Sequence, residues 1–226
     1  MNLADYEFSV QEVAASDDGP RFPVLDIRPQ DKQAVEFFAS VWSRCQQAHT
    51  SYDAASSRPP KGWCRWQVTQ WAKSDPLEGQ HRYAAWLGDV LVGFLNVRLG
   101  FPSRATPGTE VVYVEHVATA PGNILTPLWG RRLIGVGTAL LAYSVLESVN
   151  RGCGGRVGLH AADGDAEAFY LALNRRFGEQ LFLHREQHGV PAPRHPRQTN
   201  EPGLDQVYLE GEPSGCLTLL EGYRRD

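Results

Sequence analysis

The run from Arg82 to Thr119 constrains this chain more than any other. In "RYAAWLGDVLVGFLNVRL" two apolar, β-rich runs flank Gly88-Asp89, a pair suited to a two-residue turn with positive φ. "EVVYVEHVAT" follows as another strand, apolar on both faces, as the centre of a covered sheet requires. Its interior residues that titrate near neutral pH are Glu115 and His116. A chain with these three runs is expected to fold around a sheet with helices packed on it.

The flanking segments continue the alternation. "RFPVLDIRP" reads as a short strand in which Val24, Leu25 and Ile27 precede a terminating Pro29. "DKQAVEFFASVWSRCQQ" places Val35, Phe38, Val41 and Trp42 on one helical face. From Gly137 to Asn150, Leu141, Ala142, Val145, Leu146 and Val149 recur at helical spacing, with Ser144 and Glu147 outside the stripe. Arg151-Gly152 ends that helix. "GRVGLHAA" reads as a strand and "DAEAFYLALN" as a helix capped by Asp163 or Asp165. "LDQVYLE" and "GCLTLLEG" are expected to close the sheet as a hairpin.

Residues 1–20 are acidic, end in "SDDGP", and read as a flexible lead-in; residues 21–226 are expected to form one domain. Within it, "HTSYDAASSRPPKG" reads as a loop, and a polar, Pro-rich insertion runs over about 184–203. Trp63, Trp66 and Trp71 form a dense aromatic segment, read as a core staple or a substrate-facing wall.

Composition narrows the function classes. With 226 residues, 42% hydrophobic and 21% charged, the chain is long enough to bury a core and unlike a disordered one. A net charge of −4 supplies no general attraction to nucleic acid or an anionic membrane. No run of about 18 apolar residues suggests a membrane-spanning helix. Cys45, Cys64, Cys153 and Cys216 lie far apart, without metal or redox spacing, and read as reduced thiols in a cytoplasmic protein. His184, His188 and His195 lie in the Pro-rich stretch without a cysteine or acidic partner, so no metal is expected.

"RRLIGVGTALL", residues 131–141, sets two arginines and two glycines at the start of an apolar helix. Glycine inside a helix costs about 1 kcal/mol against alanine, so Gly135 and Gly137 imply close backbone approach to something. A strand, a Gly-bearing loop and a helix start together make an anion site from main-chain N–H groups and the helix dipole. Arg131 and Arg132 add positive charge. The Gly-Lys-Ser/Thr ending of a nucleoside triphosphate loop and the third glycine of a dinucleotide fingerprint are missing, so a pyrophosphate held by the amides of "RLIGVGT" fits best.

Arg132-x-x-Gly135-x-Gly137 resembles the Q/R-x-x-G-x-G/A signature of the GNAT superfamily of N-acetyltransferases. "YVEHVATAP" resembles that family's fourth strand, and "GLHAADGDAEAFYLALN" its fifth strand and following helix. The likeness covers about residues 82–177, and the strand and helix from 22 to 48 fit the family's opening. The resemblance implies an α/β (α+β) fold with a mixed, mostly antiparallel central sheet flanked by helices. It implies acetyl-CoA as co-substrate, with its pyrophosphate on Arg131, Arg132, Leu133, Ile134, Gly135, Val136, Gly137 and Thr138. The backbone of Val117, Ala118 and Thr119 would meet the cofactor, and Asp163 sits near the family's cofactor-contacting Asn or serves as an N-cap.

Acetyl transfer from a thioester to an amine needs a neutral nucleophile, a stabilised oxyanion and a proton for the departing thiolate. Glu115 resembles the family glutamate that serves as base; a salt bridge to a core arginine, or orientation of the acceptor's ammonium, is the alternative. His160 could serve as base if its strand's parity brings it to the cleft, whereas His116 points to the opposite face. Tyr170 resembles the tyrosine that protonates the thiolate, with a core aromatic as alternative. The N–H of Val117 or its neighbour would stabilise the oxyanion. The expected reaction is direct transfer to a primary amine of a small molecule. A protein or aminoacyl-tRNA acceptor, a non-catalytic acyl-CoA sensor or interaction module, and assembly as a homodimer are the open alternatives.

Overall fold

The computed structural model describes residues 1–14, 21–42, 76–120, 131–161, 164–177, 181–182, 184–186 and 207–225. The strands are β1 (Gln11–Ala14), β2 (Asp26–Pro29), β3 (Gln80–Leu87), β4 (Val90–Pro102), β5 (Glu110–Thr119), β6 (Arg131–Ile134), β7 (Val157–Ala161), β8 (His184–Glu186) and β9 (Val207–Gly211). The helices are α1 (Lys32–Phe37), α2 (Val136–Asn150), α3 (Gly164–Phe177) and α4 (Pro213–Glu221). Hydrogen-bonded neighbours follow the order β2-β3-β4-β5-β7-β9-β8, and β1 pairs with β6. The β5–β7 pair is parallel, while β2–β3, β7–β9 and β8–β9 are antiparallel. The sheet is thus mixed and mostly antiparallel, as expected.

The chain divides into two compact units, where the sequence suggests one domain after a lead-in. One comprises residues 7–95 and 117–140, the other residues 1–6, 96–116 and 141–226. Strands β4 and β5 and helix α2 contribute residues to each.

In the unit carrying Gly135, β3 and β4 form the expected hairpin, with Gly88 at φ +57 in the turn. The Asp31 side chain caps α1 by accepting from the Ala34 N–H at 2.9 Å. The helix then loosens into one π turn over Phe38–Trp42. That turn brings Phe38 and Trp42 into a cluster with Trp86, Leu91 and Phe94. Trp42 Nε1 donates to the Leu91 carbonyl at 3.1 Å, so the indole is buried without losing its hydrogen bond. Gly93 is a close approach: a Cβ there would lie 2.8 Å from Val136 Cγ1 and 2.9 Å from Leu140 Cδ1. The start of α2 therefore rests directly on the β4 backbone.

The expected lead-in is corrected over the described part of 1–20. Phe8 and Val10 are buried, Leu25 N–H donates to the Phe8 carbonyl at 2.9 Å, and β1 pairs with β6. Tyr6 is likewise buried in its own unit. The alternation Tyr6-Glu7-Phe8-Ser9-Val10 is strand-like, and the acidic residues around it hide that period.

In the unit carrying Glu115, Val111, Tyr113 and Tyr208 form an apolar cluster with Phe101 packed on it. Glu210 is buried beside them and saturated with donors, from Ser103 Oγ, from Tyr208 Oη at 2.8 Å and from the Arg104 N–H at 2.8 Å. That satisfaction makes a buried carboxylate tolerable. In α2, Ser144 is buried and donates to the Leu141 carbonyl at 2.6 Å, which corrects its expected place outside the stripe. A helix covered nearly all round can hold serine where the hydroxyl back-bonds to its own turn.

The segment "GCLTLLEG" is helix α4, not the second arm of a closing hairpin. Pro213 occupies the first turn, where its missing N–H costs nothing, and Cys216, Leu219 and Leu220 share the buried face. A short run of this kind satisfies the strand period and the helix period about equally; burial decides. Asn174, near the end of α3, clamps the chain beyond it by accepting from the Phe182 N–H at 2.9 Å and donating to its carbonyl at 3.3 Å.

Candidate functional site

The glycine-rich motif is a strand, a turn and a helix start. Arg131, Arg132, Leu133 and Ile134 form β6, in register with β1 as Glu12↔Leu133 and Val13↔Arg132. This corrects the reading of the arginines as part of the helix start. Gly135 follows at φ +99, a backbone conformation that side chains disfavour, and among the described residues a Cβ there would meet nothing within 4 Å. The helix begins at Val136, and the Ala139 N–H donates to the Gly135 carbonyl at 2.8 Å. The N–H groups of Val136, Gly137 and Thr138 precede that bond, so none has an acceptor one turn back in the helix. Leu133, Val136 and Thr138 are buried, and they anchor the turn whose next residue has open space before it. Open space, a bare Cα and the positive end of a helix are what an anionic group needs.

Along β5 the side chains alternate. Ala118 packs against the Trp86 cluster, which turns Val117 and Thr119 to the other face. Among the described residues, the ladder to β7 covers Val112–Val114 and Val157–Leu159, and β5 continues to Thr119.

The carboxylate of Glu115 is held on both oxygens. Asn96 Nδ2 donates to Oε2 at 2.5 Å, and Arg98 Nε donates to Oε1 at 2.5 Å in an ion pair. Asn96 is wholly buried, and its Oδ1, like Arg98 Nη2, has no hydrogen-bond partner among the described residues. On the same strand, Tyr113 Oη lies 2.8 Å from His160 Nδ1. Burial first, then the negative charge of Glu115, pushes ionisation of the Tyr113 phenol up, so it keeps its proton. Tyr170 lies on α3. Tyr170 is itself buried against Phe182, ring centroids 5.8 Å apart, and burial pushes its phenol ionisation up as well.

Asn96, Arg98 and Tyr113 are the members that sequence reasoning missed. The signal was available: Asn96 and Arg98 interrupt an apolar strand at alternate positions, hence on one face. Asp163, the Trp63, Trp66 and Trp71 segment, Cys45, Cys64, His188 and His195 lie outside the described residues. His184 opens β8. Cys153 and Cys216 are free thiols, the latter buried and its ionisation pushed up to about 12. Among the described residues, no three His, Cys, Asp or Glu side chains gather as a metal site, and no helix is long and apolar enough to cross a membrane.

No family model and no curated protein matches the sequence. Solved structures do, at low identity. The chain is similar to an N-acetyltransferase, PaiA, of Thermoplasma acidophilum in complex with coenzyme A, at 9% identity over 83% of this chain and 98% of that one, TM-score 0.45. It is similar to a GNAT family acetyltransferase of Elizabethkingia anophelis with acetyl-CoA bound, at 12% identity over 83% and 97%, TM-score 0.43. An acetyltransferase of Thermus thermophilus is also similar, at 18% identity over 82% of this chain and 95% of that one, TM-score 0.40.

Proposed function

We propose that this chain is a GNAT-type N-acetyltransferase that moves the acetyl group of acetyl-CoA to a primary amine of a small molecule in a ternary complex. The observation that carries the reading is the turn at Gly135. A positive-φ glycine with none of the described residues within 4 Å of its Cβ position, followed by three helix-start amides and preceded by Arg131 and Arg132, suits a diphosphate. The residues present fit acetyl-CoA, because the position where a side chain would intrude carries none. The main chain of β5 beyond Val114 and the polar cluster at Glu115 supply, on this reading, the contacts for the acyl arm and the acid–base chemistry.

Tyr170 returns a proton to the departing thiolate. A phenol holds its proton through the neutral range, so the acid is loaded when the thiolate charge develops. The free thiols of Cys153 and Cys216 support a reducing, cytoplasmic setting.

Titration calorimetry with acetyl-CoA, followed by thiol release in the presence of a panel of primary amines, tests the proposal. Saturable binding that weakens in Gly135→Glu, with amine-dependent thiol release, is expected. Binding without turnover on any amine would favour an acyl-CoA sensor. No binding would remove the assignment.

A further inference from the structure

Resting on the acetyltransferase reading, we infer that the N-terminal strand β1 is part of the acetyl-CoA site: by pairing with β6 it positions the Gly135 turn, so that docking of residues 7–14 and binding of acetyl-CoA favour one another.

The turn is held from two sides. On the helix side it is held by packing: a Cβ at Gly93 would lie 2.8 Å from Val136 Cγ1 and 2.9 Å from Leu140 Cδ1, so the first turn of α2 rests on the β4 backbone. On the strand side, the four residues of β6 lead into Gly135, and among the described residues β6 pairs with β1 alone. The register ends at Gln11↔Ile134, one residue before the chain takes φ +99. A strand of four residues is not stable without its partner. The direction in which the chain enters the turn is therefore set by β1.

β1 belongs to a wider antiparallel arrangement, in which Ser9 bridges Val24 and Glu12 bridges Arg21. The Val10 N–H donates to the Pro23 carbonyl at 3.0 Å, the Glu12 N–H to the Arg21 carbonyl at 2.7 Å, and the Arg21 N–H to the Glu12 carbonyl at 3.3 Å. Main-chain groups of successive residues in an antiparallel strand point to opposite edges. With Val10 and Glu12 turned towards residues 21–25, Gln11 and Val13 are the residues whose main chain faces β6. Side chains alternate between the two faces in the same way. Phe8, Val10, Leu25 and Leu133 are buried, whereas Val13 is 41% exposed. Burial of the inner face offsets the entropy of ordering this segment. Val13 can accordingly be altered at the main chain with little loss of packing.

Three amides converge on a diphosphate only if the turn keeps one conformation. Each residue whose backbone must be fixed at the moment of binding subtracts from affinity. With β1 docked, that ordering precedes the arrival of the cofactor. Linkage then runs both ways: whatever β1 adds to acetyl-CoA affinity, acetyl-CoA adds to the docking of β1.

Hydrogen exchange of the full chain, read by mass spectrometry with and without saturating acetyl-CoA, tests the coupling. Exchange in the peptide holding Gln11–Ala14 should slow by about tenfold more than in the peptide holding α4, which reports opening unrelated to the turn. Val13→Pro removes the N–H that faces β6. In calorimetry it should weaken acetyl-CoA binding about tenfold, roughly 1.4 kcal/mol, as expected when about one more residue must be fixed on binding. Val13→Thr, which gives the N–H back, should restore the affinity. If Val13→Pro fails to fold, the exchange of the wild type decides alone. Equal slowing in both peptides, or an unchanged affinity in folded Val13→Pro, would overturn the coupling while the acetyltransferase stands. A wild type that binds no acetyl-CoA would overturn both.

Discussion

In the unit carrying Gly135 the candidate chemistry belongs to the main chain, and in the unit carrying Glu115 it belongs to side chains. The first needs a missing Cβ, a positive φ and the start of a helix; the residue types beside it matter mainly for burial. The second needs Asn96, Arg98, Tyr113, Glu115 and His160 to arrive from three strands within hydrogen-bond reach. A main-chain site tolerates most substitutions but not a side chain at its bare position. A side-chain site tolerates none of its members being replaced, because each leaves a buried partner unsatisfied.

The comparison is broken most directly at the buried ion pair. Arg98→Met is expected to lower unfolding free energy by about 3 kcal/mol, because it strands the Glu115 charge. The double variant with Glu115→Gln should recover much of that loss in urea titrations. Equal destabilisation of single and double variants would show that the pair carries no coupling. At the main-chain site, Gly135→Glu is expected to weaken acetyl-CoA binding by about 100-fold, roughly 2.7 kcal/mol. Gly135→Ala separates the two causes of that loss. With open space for the Cβ, it should cost only the backbone strain, about 1–2 kcal/mol of stability.

Tyr170→Phe sharpens the contrast between binding and chemistry. Turnover should fall about 100-fold, at the lower end of what a general acid supplies, with acetyl-CoA affinity unchanged. A matched loss of affinity would reduce Tyr170 to a packing residue. The smallest effect concerns the buried thiol of α4. Burial pushes the Cys216 pKa up to about 12 from 9.0, so the folded state holds that proton more tightly than the unfolded state. Its contribution to stability is therefore complete below about pH 9 and falls as pH rises from about 9 towards about 12. Cys216→Ala should remove the part of the alkaline decline that begins near pH 9 in urea midpoints, leaving the decline from the buried tyrosines, which sets in from about pH 10.

Much of this arrangement was legible residue by residue. The hairpin at Gly88, the central strand at Glu110–Thr119, the long helix after Gly135 and the strand and helix from Val157 were readable because each carries a local period or a turn residue. The glycine motif was readable for the same reason, since a positive φ leaves its mark at a single position. The arginines were misplaced because β6 exists only by pairing with β1, more than a hundred residues earlier. The helix at Pro213 was misread because Cys216, Leu219 and Leu220 acquire a shared face only when something covers it.

The amino-acid order alone determined the turn at Gly88, the central strand at Glu110–Thr119 and the helix start that follows Gly135. Only tertiary structure decided which groups Glu115 meets. The sequence places an acid on a central strand, but whether its oxygens stay open depends on β4 setting Asn96 and Arg98 beside it, and a hydrogen bond across strands is a property of register. The same holds for the Tyr113 and His160 pair: two residues 47 apart in the chain meet at 2.8 Å because parallel strands align them. Local conformation follows from short-range sterics, whereas proton affinity and partner choice follow from what the folded chain brings into contact.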